Sequence, residues 1–352
     1  MKKTLTLNSI GVNCYYSAIA SALGYLNHLE VMFGLTAFDF LFKDIESFTL
    51  LEVPNGIEEY LSPLDPLIFA KKPKSFFRNT VFLLREIWDE CDTSYDILPL
   101  EAYTENDFVS LCFEYTRKSI PIILELNVAL LRDEYKRMGA LLPRGKDAIH
   151  MVNLFDVDNK SCHIIDAQFR ANGRIAIDSI IRGTSYAKCP TAYAFILLNS
   201  IKPKECFIIE HMKRSVYPQY VNGTIYESKK SLTNFVCDFN SVVDCLYNRY
   251  KQFMYPAFSY ILYPHRLERR GCSTLYANFP NLFGIPEWSS IIGLAKKSGE
   301  LWYALDMIMD KCFLKGESAS YFKHAVSELI KEIYTTDGAV LDNMKRILEL
   351  QK

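Results

Sequence analysis

Cys14, His150 and Asp166 are the three residue types that can together attack and resolve a carbonyl centre. In the stretch LNSIGVNCYYSAIASALGYL, residues 7 to 26, Cys14 stands where a loop gives way to a helix. Tyr15, Ala18, Ile19, Ala22, Leu23 and Leu26 follow the spacing of one helix face, and small residues between them suit close packing on several sides. A cysteine in a first helical turn lies near unpaired N–H groups and the positive end of the helix dipole, both of which stabilise a thiolate. The alternative is a buried, inert thiol, since free cysteine is among the most buried residue types. His150 follows 136 residues later and Asp166 another 16. In a thiol-dependent acyl transfer, the thiolate attacks the carbonyl carbon and the imidazole moves the proton. A third polar group fixes the imidazole's tautomer and direction.

His150 and Asp166 fall in AIHMVNLFDVDNKSCHIIDAQF, where two apolar runs flank Asp158-Asn159. That pattern predicts a β-hairpin with arms near 148–156 and 160–168. A three-residue loop, Val157 to Asn159, would pair Asp156 with Lys160 and set His150 directly opposite Asp166 on one face of the sheet. A two-residue loop would put them on opposite faces. Asp156 and Asp158 are rivals for the third role. His163 alternates against Asp166 and is expected to point away; Cys162 reads as core. Negative charge on the attacked carbonyl oxygen also needs a donor. The backbone N–H of Cys14 and the amide of Asn8, six residues upstream, are candidates, with Asn13 competing.

The whole chain must supply elements to hold these groups. Its 352 residues are 49% hydrophobic and 23% charged, enough for one large domain or two ordinary ones. No apolar run is long enough for a transmembrane helix. Forty basic residues against 41 acidic give a net charge of −1, which argues against wrapping nucleic acid. Ten cysteines are scattered without a CxxC pair, so no metal site is expected and the thiols read as reduced and mostly buried. MKKTLTL is followed by too broken an apolar stretch for an export signal, and the expected location is cytoplasmic. No glycine-rich phosphate loop is present, so no bound cofactor is expected.

Along the chain, residues 14 to 118 read as mostly helical, with SFFRNTVFLLREIWDECD and 106–117 as clear helix patterns. SIPIILELN, the hairpin, TAYAFILLN and ECFIIEHM read as strands of an antiparallel sheet. From residue 227 the pattern is helical: a long apolar stripe from Leu232 to Phe253, a helix from Pro286 to about Phe313, and two more at 319–334 and 338–350. MYPAFSYILYPHRL is too irregular for a helix face and too apolar for a free linker. The expected organisation is α+β, with a catalytic domain over 1–212 and an all-α domain over 227–352. The basic groups KKPKSFFR and HRLERR read as solvated faces, with docking of an acidic partner or a phosphate-bearing arm as their functional alternative.

The NCYYSAIASALGYL start, the AIHMVNLFDVDNKSCHIIDA hairpin and the helical C-terminal half resemble the butirosin-type acyltransferases. That family is a branch of the papain-like cysteine-protease fold and includes stand-alone amide synthases of closthioamide-type antibiotic assembly. The resemblance covers residues 7 to 170 at motif level. It implies Cys14 as nucleophile, His150 as base and Asp166 as orienting residue. It further implies an acyl group delivered as a thioester on the phosphopantetheine of a carrier protein and passed to a small amine. A papain-like peptidase or amidase is the alternative, and a non-catalytic module of the same fold a third reading. The peptidase branch carries a glutamine where this chain has Asn8. Tyr260 and Tyr263, in the aromatic stretch of the helical half, are candidates for the substrate channel.

Overall fold

The structure is a computed structural model, and it describes residues 14–40, 95–100, 105–140, 142, 149–184, 192–197, 204–221, 224–249 and 254–351. For some of these, Cys14 and 254–264 among them, only the backbone is described. The chain mixes helix and sheet and divides into two compact units. One comprises residues up to Met32 and 84–203; the other comprises 33–83 and 204–352. The boundary thus falls at 203/204, not between 212 and 227, and a stretch near the N-terminus joins the helical unit.

The first unit is built on a six-stranded antiparallel sheet, in the order β1-β6-β2-β3-β4-β5. Helix α1 (Cys14–Leu26) precedes β1 (Tyr95–Leu100), a strand inside the region whose pattern reads as helical. Then come α2 (Glu105–Arg117), β2 (Ile122–Asn127), α3 (Arg132–Arg137), β3 (Ile149–Phe155), β4 (Ser161–Asp166), β5 (Ala171–Ala176), α4 (Ile177–Thr184) and β6 (Ala192–Leu197). All six residues of β2 are buried, as befits an inner strand covered on both faces. On one face Ile122, Leu124 and Leu126 join Val152, Leu154, Cys162 and Ile164 in a core capped by Phe108, Tyr135 and Ile180. The other face of β3 receives α1: Asn153 Nδ2 donates to the Ala18 carbonyl at 2.9 Å, and Tyr25 packs on Phe155 with ring centres 4.7 Å apart. Tyr16, Ala18, Ile19, Ala20, Ala22 and Leu23 are all buried, so α1 is enclosed on several sides as its small residues predict.

The second unit contains a two-stranded hairpin, β7 (Gln219–Val221) with β8 (Thr224–Tyr226), and long helices. Its helices are α5 (Lys204–Val216), α6 (Ser228–Arg249), α7 (Met254–Ala277), α8 (Pro286–Leu314) and α9 (Ala319–Leu350). Three expectations change here. ECFIIEHM lies in α5, because Phe207, Ile208, His211, Met212 and Ser215 bury one helical face rather than alternating. MYPAFSYILYPHRL is helical within α7: Pro256 falls in the first turn, where a missing N–H is harmless, and Pro264 is carried in the interior. The two C-terminal helices are one, α9, running through Asp337-Gly338.

Asp337 explains that continuity. Its carboxylate accepts from Arg269 Nε at 2.9 Å, Trp302 Nε1 at 3.1 Å and the Ser298 hydroxyl, so three partners on α7 and α8 hold the helix where a turn signal stands. Arg269 is 1% exposed, its guanidinium lies 3.9 Å over the Phe38 ring, and Nη2 donates to the Asp39 carbonyl at 2.7 Å. HRLERR is therefore only partly a solvated face: His265 and Arg269 are buried. KKPKSFFR lies outside the described residues. Beside Arg269, the carboxyls of Asp39 and Glu268 are hydrogen-bonded to each other. Burial first, and mutual repulsion for Asp39, push each up to about 7. Burial holds the neighbouring His265 down to about 3, so the ring is neutral.

Candidate active site

His150 is the second residue of β3 and shares a face with Val152 and Leu154. Asp166 ends β4. The observed register pairs Asn153 with Ile165, Leu154 with Ile164 and Phe155 with His163. Continued along the strands, it sets position 168 opposite His150 and Asp166 opposite Val152. The expected register is thus displaced by two residues. The connection is longer than three residues: Asp156 adopts a left-handed backbone, φ 47°, and a turn closes with Asp158 N–H on the Ser161 carbonyl at 2.8 Å. The Asp158 carboxylate accepts from the N–H groups of Lys160 and Ser161, and Arg174 bridges Asp156 and Asp158. These two aspartates are therefore turn residues, not rivals of Asp166. A shift of two keeps every side chain on its face, so His150 and Asp166 remain on the same side, now diagonal neighbours.

They meet at hydrogen-bond distance, Nδ1 of His150 to Oδ2 of Asp166 at 2.8 Å, with side chains 9% and 1% exposed. A carboxylate only accepts, so Nδ1 carries the proton. Three further donors satisfy the buried carboxylate. The Tyr135 hydroxyl, from α3, donates to Oδ2 at 3.0 Å, and the N–H groups of Gln168 and Phe169 donate to Oδ1 at 3.1 Å each. Together they offset the desolvation that a buried charge would otherwise suffer. Burial, and then the adjacent Asp166, raise the Tyr135 phenol well above its usual range, so it stays a donor. Phe169 packs against the imidazole with ring centres 4.5 Å apart and planes tilted by 37°. His150 Nε2 stands 3.0 Å from the Gln168 amide oxygen. That amide accepts from an imidazolium or, turned by half a rotation, donates to a neutral ring.

Tyr135 and Gln168 are the members that sequence reasoning missed. Gln168 was detectable, because Asp-Ala-Gln-Phe is the sequence of an aspartate that folds its side chain back on the N–H groups two and three residues on. Tyr135 lies 31 residues from Asp166 and offered no such signal. His163 points to the opposite face and bonds Asn172 Oδ1 at 2.6 Å. Cys162 and Cys112 are buried in the core, and burial pushes the Cys162 thiol up to about 12 and Cys112 higher still, so both are protonated and inert.

Cys14 opens α1, and α1 runs in the same sense as β3: Ala18 meets Asn153 and Tyr25 meets Phe155. The Cys14 end of the helix is therefore directed toward the end of β3 that begins with Ile149 and His150. Helix α1 covers the face of β3 opposite to the one that carries His150, Val152 and Leu154. The side chain of Cys14, and Asn8 and Asn13 altogether, lie outside the described residues. Tyr260 and Tyr263 belong to α7 in the other unit, and their side chains are likewise outside the described residues.

No family model matches the chain. No curated protein matches it in sequence. Among the described residues no cluster of His, Cys, Asp and Glu is arranged to hold a metal ion, and no helix is long and apolar enough to cross a membrane.

Proposed function

We propose that this chain is a cysteine-dependent acyltransferase of papain-like architecture, which moves an acyl group from a carrier-bound thioester to an amine. The observation that carries the reading is the buried His150–Asp166 pair, with His150 on the strand against which the Cys14 helix packs. An imidazole fixed at Nδ1 by a carboxylate exchanges protons at Nε2, the atom that here also meets the Gln168 amide oxygen. In the first step the Cys14 thiolate attacks the thioester carbonyl. The bond to the donor sulfur breaks, and the departing thiolate takes the proton from the His150 imidazolium. In the second, the amine attacks acyl-Cys14, His150 accepts its proton, the amide forms and the Cys14 thiolate leaves. Amide formation from a thioester is downhill, so the sequence of steps needs no nucleoside triphosphate. The Cys14 N–H, at the start of α1, is the proposed donor to the developing oxyanion, with Asn8 as second donor.

Intact-protein mass spectrometry with acyl-pantetheine thioesters tests this. The wild type should gain one acyl mass that an added amine discharges as amide, and Cys14→Ala should gain none. An adduct mapping to another residue would remove Cys14 from the chemistry. Discharge by water at the same rate with and without amine would make the enzyme a hydrolase.

A further inference from the structure

Helices α7 and α8 frame a second concavity that the proposed acyl chemistry does not use, a cavity of about 350 Å³, within the size range of small-molecule sites. Arg266, Arg270, Ser273 and Thr274 reach it from α7, at the i, i+4, i+7 and i+8 positions of one helix face. Lys296, Gly299, Glu300 and Tyr303 answer from α8 at i, i+3, i+4 and i+7. Three cations line it against Glu300, and Arg266 is itself bonded to Asp306, which leaves a surplus of one positive charge in a concave wall.

The pairing pattern sets Arg270 and Lys296 apart from their neighbours. Arg266, also in the lining, is bonded to Asp306, and Arg269 and Lys297, each next to a lining residue, are bonded to Asp337 and Glu332. Arg270 and Lys296 make no ion pair among the described residues, although Glu300 lies one turn beyond Lys296. Arg266 is held in place by Asp306 and lies over the Tyr303 ring, 5.5 Å from its centre. At Gly299 the two helices run close, since a Cβ there would stand in ordinary contact with the Arg270 backbone, at 3.5 Å. Tyr303 is half exposed, so part of its ring stays open beside Arg266.

We infer that this groove binds a phosphoryl group borne on an organic body, the phosphoryl oxygens held by Arg270 and Lys296 and the organic part resting on Tyr303. Planar guanidinium forks and a lysine point charge on convergent walls are the side chains that recognise phosphate. The ligand is either a free phosphorylated small molecule or the phosphorylated arm of a carrier domain. The inference stands whether or not Cys14 is a nucleophile, since it rests only on residues of the helical unit.

Calorimetric titration of the full-length protein with inorganic phosphate, phenyl phosphate and phosphopantetheine, each at low and high salt, provides the test. The organic phosphates should bind more tightly than inorganic phosphate, with affinity falling as salt rises. Arg270→Glu and Lys296→Glu lie on the exposed surface and should each weaken binding by at least roughly tenfold, the scale of one lost charge-assisted bond. Tyr303→Ala should erase the advantage of phenyl phosphate while leaving inorganic phosphate unchanged. Tighter binding of an arm-bearing carrier than of free phosphopantetheine or the arm-less carrier would identify the arm as the natural ligand. Equal binding of free and carrier-borne arms would identify a small molecule. No heat with any probe, or affinities untouched by both charge reversals, would overturn the inference.

Discussion

Replacing Glu268 by glutamine should stabilise the helical unit in alkaline solution and do little in mild acid. Two carboxyls, Asp39 and Glu268, share one buried hydrogen bond, and the guanidinium beside them, Arg269, is already bonded to Asp337. Glu268 is raised from 4.5 to about 7, chiefly by burial. A carboxyl whose folded value is raised favours the native state below its unfolded value and loses that contribution as pH climbs through the folded one. The window is therefore about pH 4.5 to 7. Its full depth is about 3 kcal/mol at 1.36 kcal/mol per pKa unit; because 16% of the Glu268 side chain remains exposed, about 1.5 to 3 kcal/mol is the working range. Glutamine keeps a donor for Asp39 and cannot ionise. Urea titrations in a Trp88→Phe background, where Trp288 and Trp302 report on the helical unit, should show the wild type weakening between pH 5 and 8.5. Glu268→Gln should weaken less across the same range, because only Asp39 of the pair still ionises. A wild type equally stable at both pH values, or a variant equally destabilised at both, would refute the reasoning.

Cys14 should be the thiol alkylated first by iodoacetamide near neutral pH, ahead of the buried Cys112 and Cys162; peptide mapping that finds either of those labelled first would remove it from the proposed role. Tyr135→Phe leaves the buried Asp166 one donor short, so we expect a loss of about 1–3 kcal/mol in denaturant stability together with an altered pH–rate profile. Gly338→Ala should raise the stability of the helical unit by about 0.5–1 kcal/mol, because the position is helical and nothing stands within 4 Å of the added Cβ; an unchanged or lowered denaturation midpoint would contradict it.

The hairpin was legible because alternation, turn residues and apolar runs are local signals, and even a wrong register kept His150 and Asp166 on one face. The register itself was hidden, since it depends on the left-handed backbone at Asp156 and the clamp from Arg174, 18 residues from Asp156. α5 was misread because FII in ECFIIEHM is apolar and holds two β-branched isoleucines, while the burial that decides it comes from distant segments, residues 33–38 among them. The turn signal at Asp337-Gly338 failed for a related reason. An aspartate that would cap or break a helix in isolation is here occupied by Arg269, Ser298 and Trp302.

The stretch from Phe33 to Phe40 has a consequence for the order of events on the ribosome. Phe33, Phe38 and Phe40 are buried, the Phe38 N–H donates to Ser215 Oγ at 2.7 Å, and the Asp39 carbonyl awaits a guanidinium 230 positions downstream. Elongation at roughly 5–20 residues per second separates these partners by roughly 10–50 s. Throughout that interval three phenylalanines have no native surface to cover them, while the strands of the other unit emerge. Truncating the chain after the sheet leaves this exposure permanent, so such a fragment should need a chaperone or a detergent to stay in solution. A rearranged gene that moves residues 33–40 to follow residue 351 would test whether the delay, and not the sequence, limits the yield of folded protein.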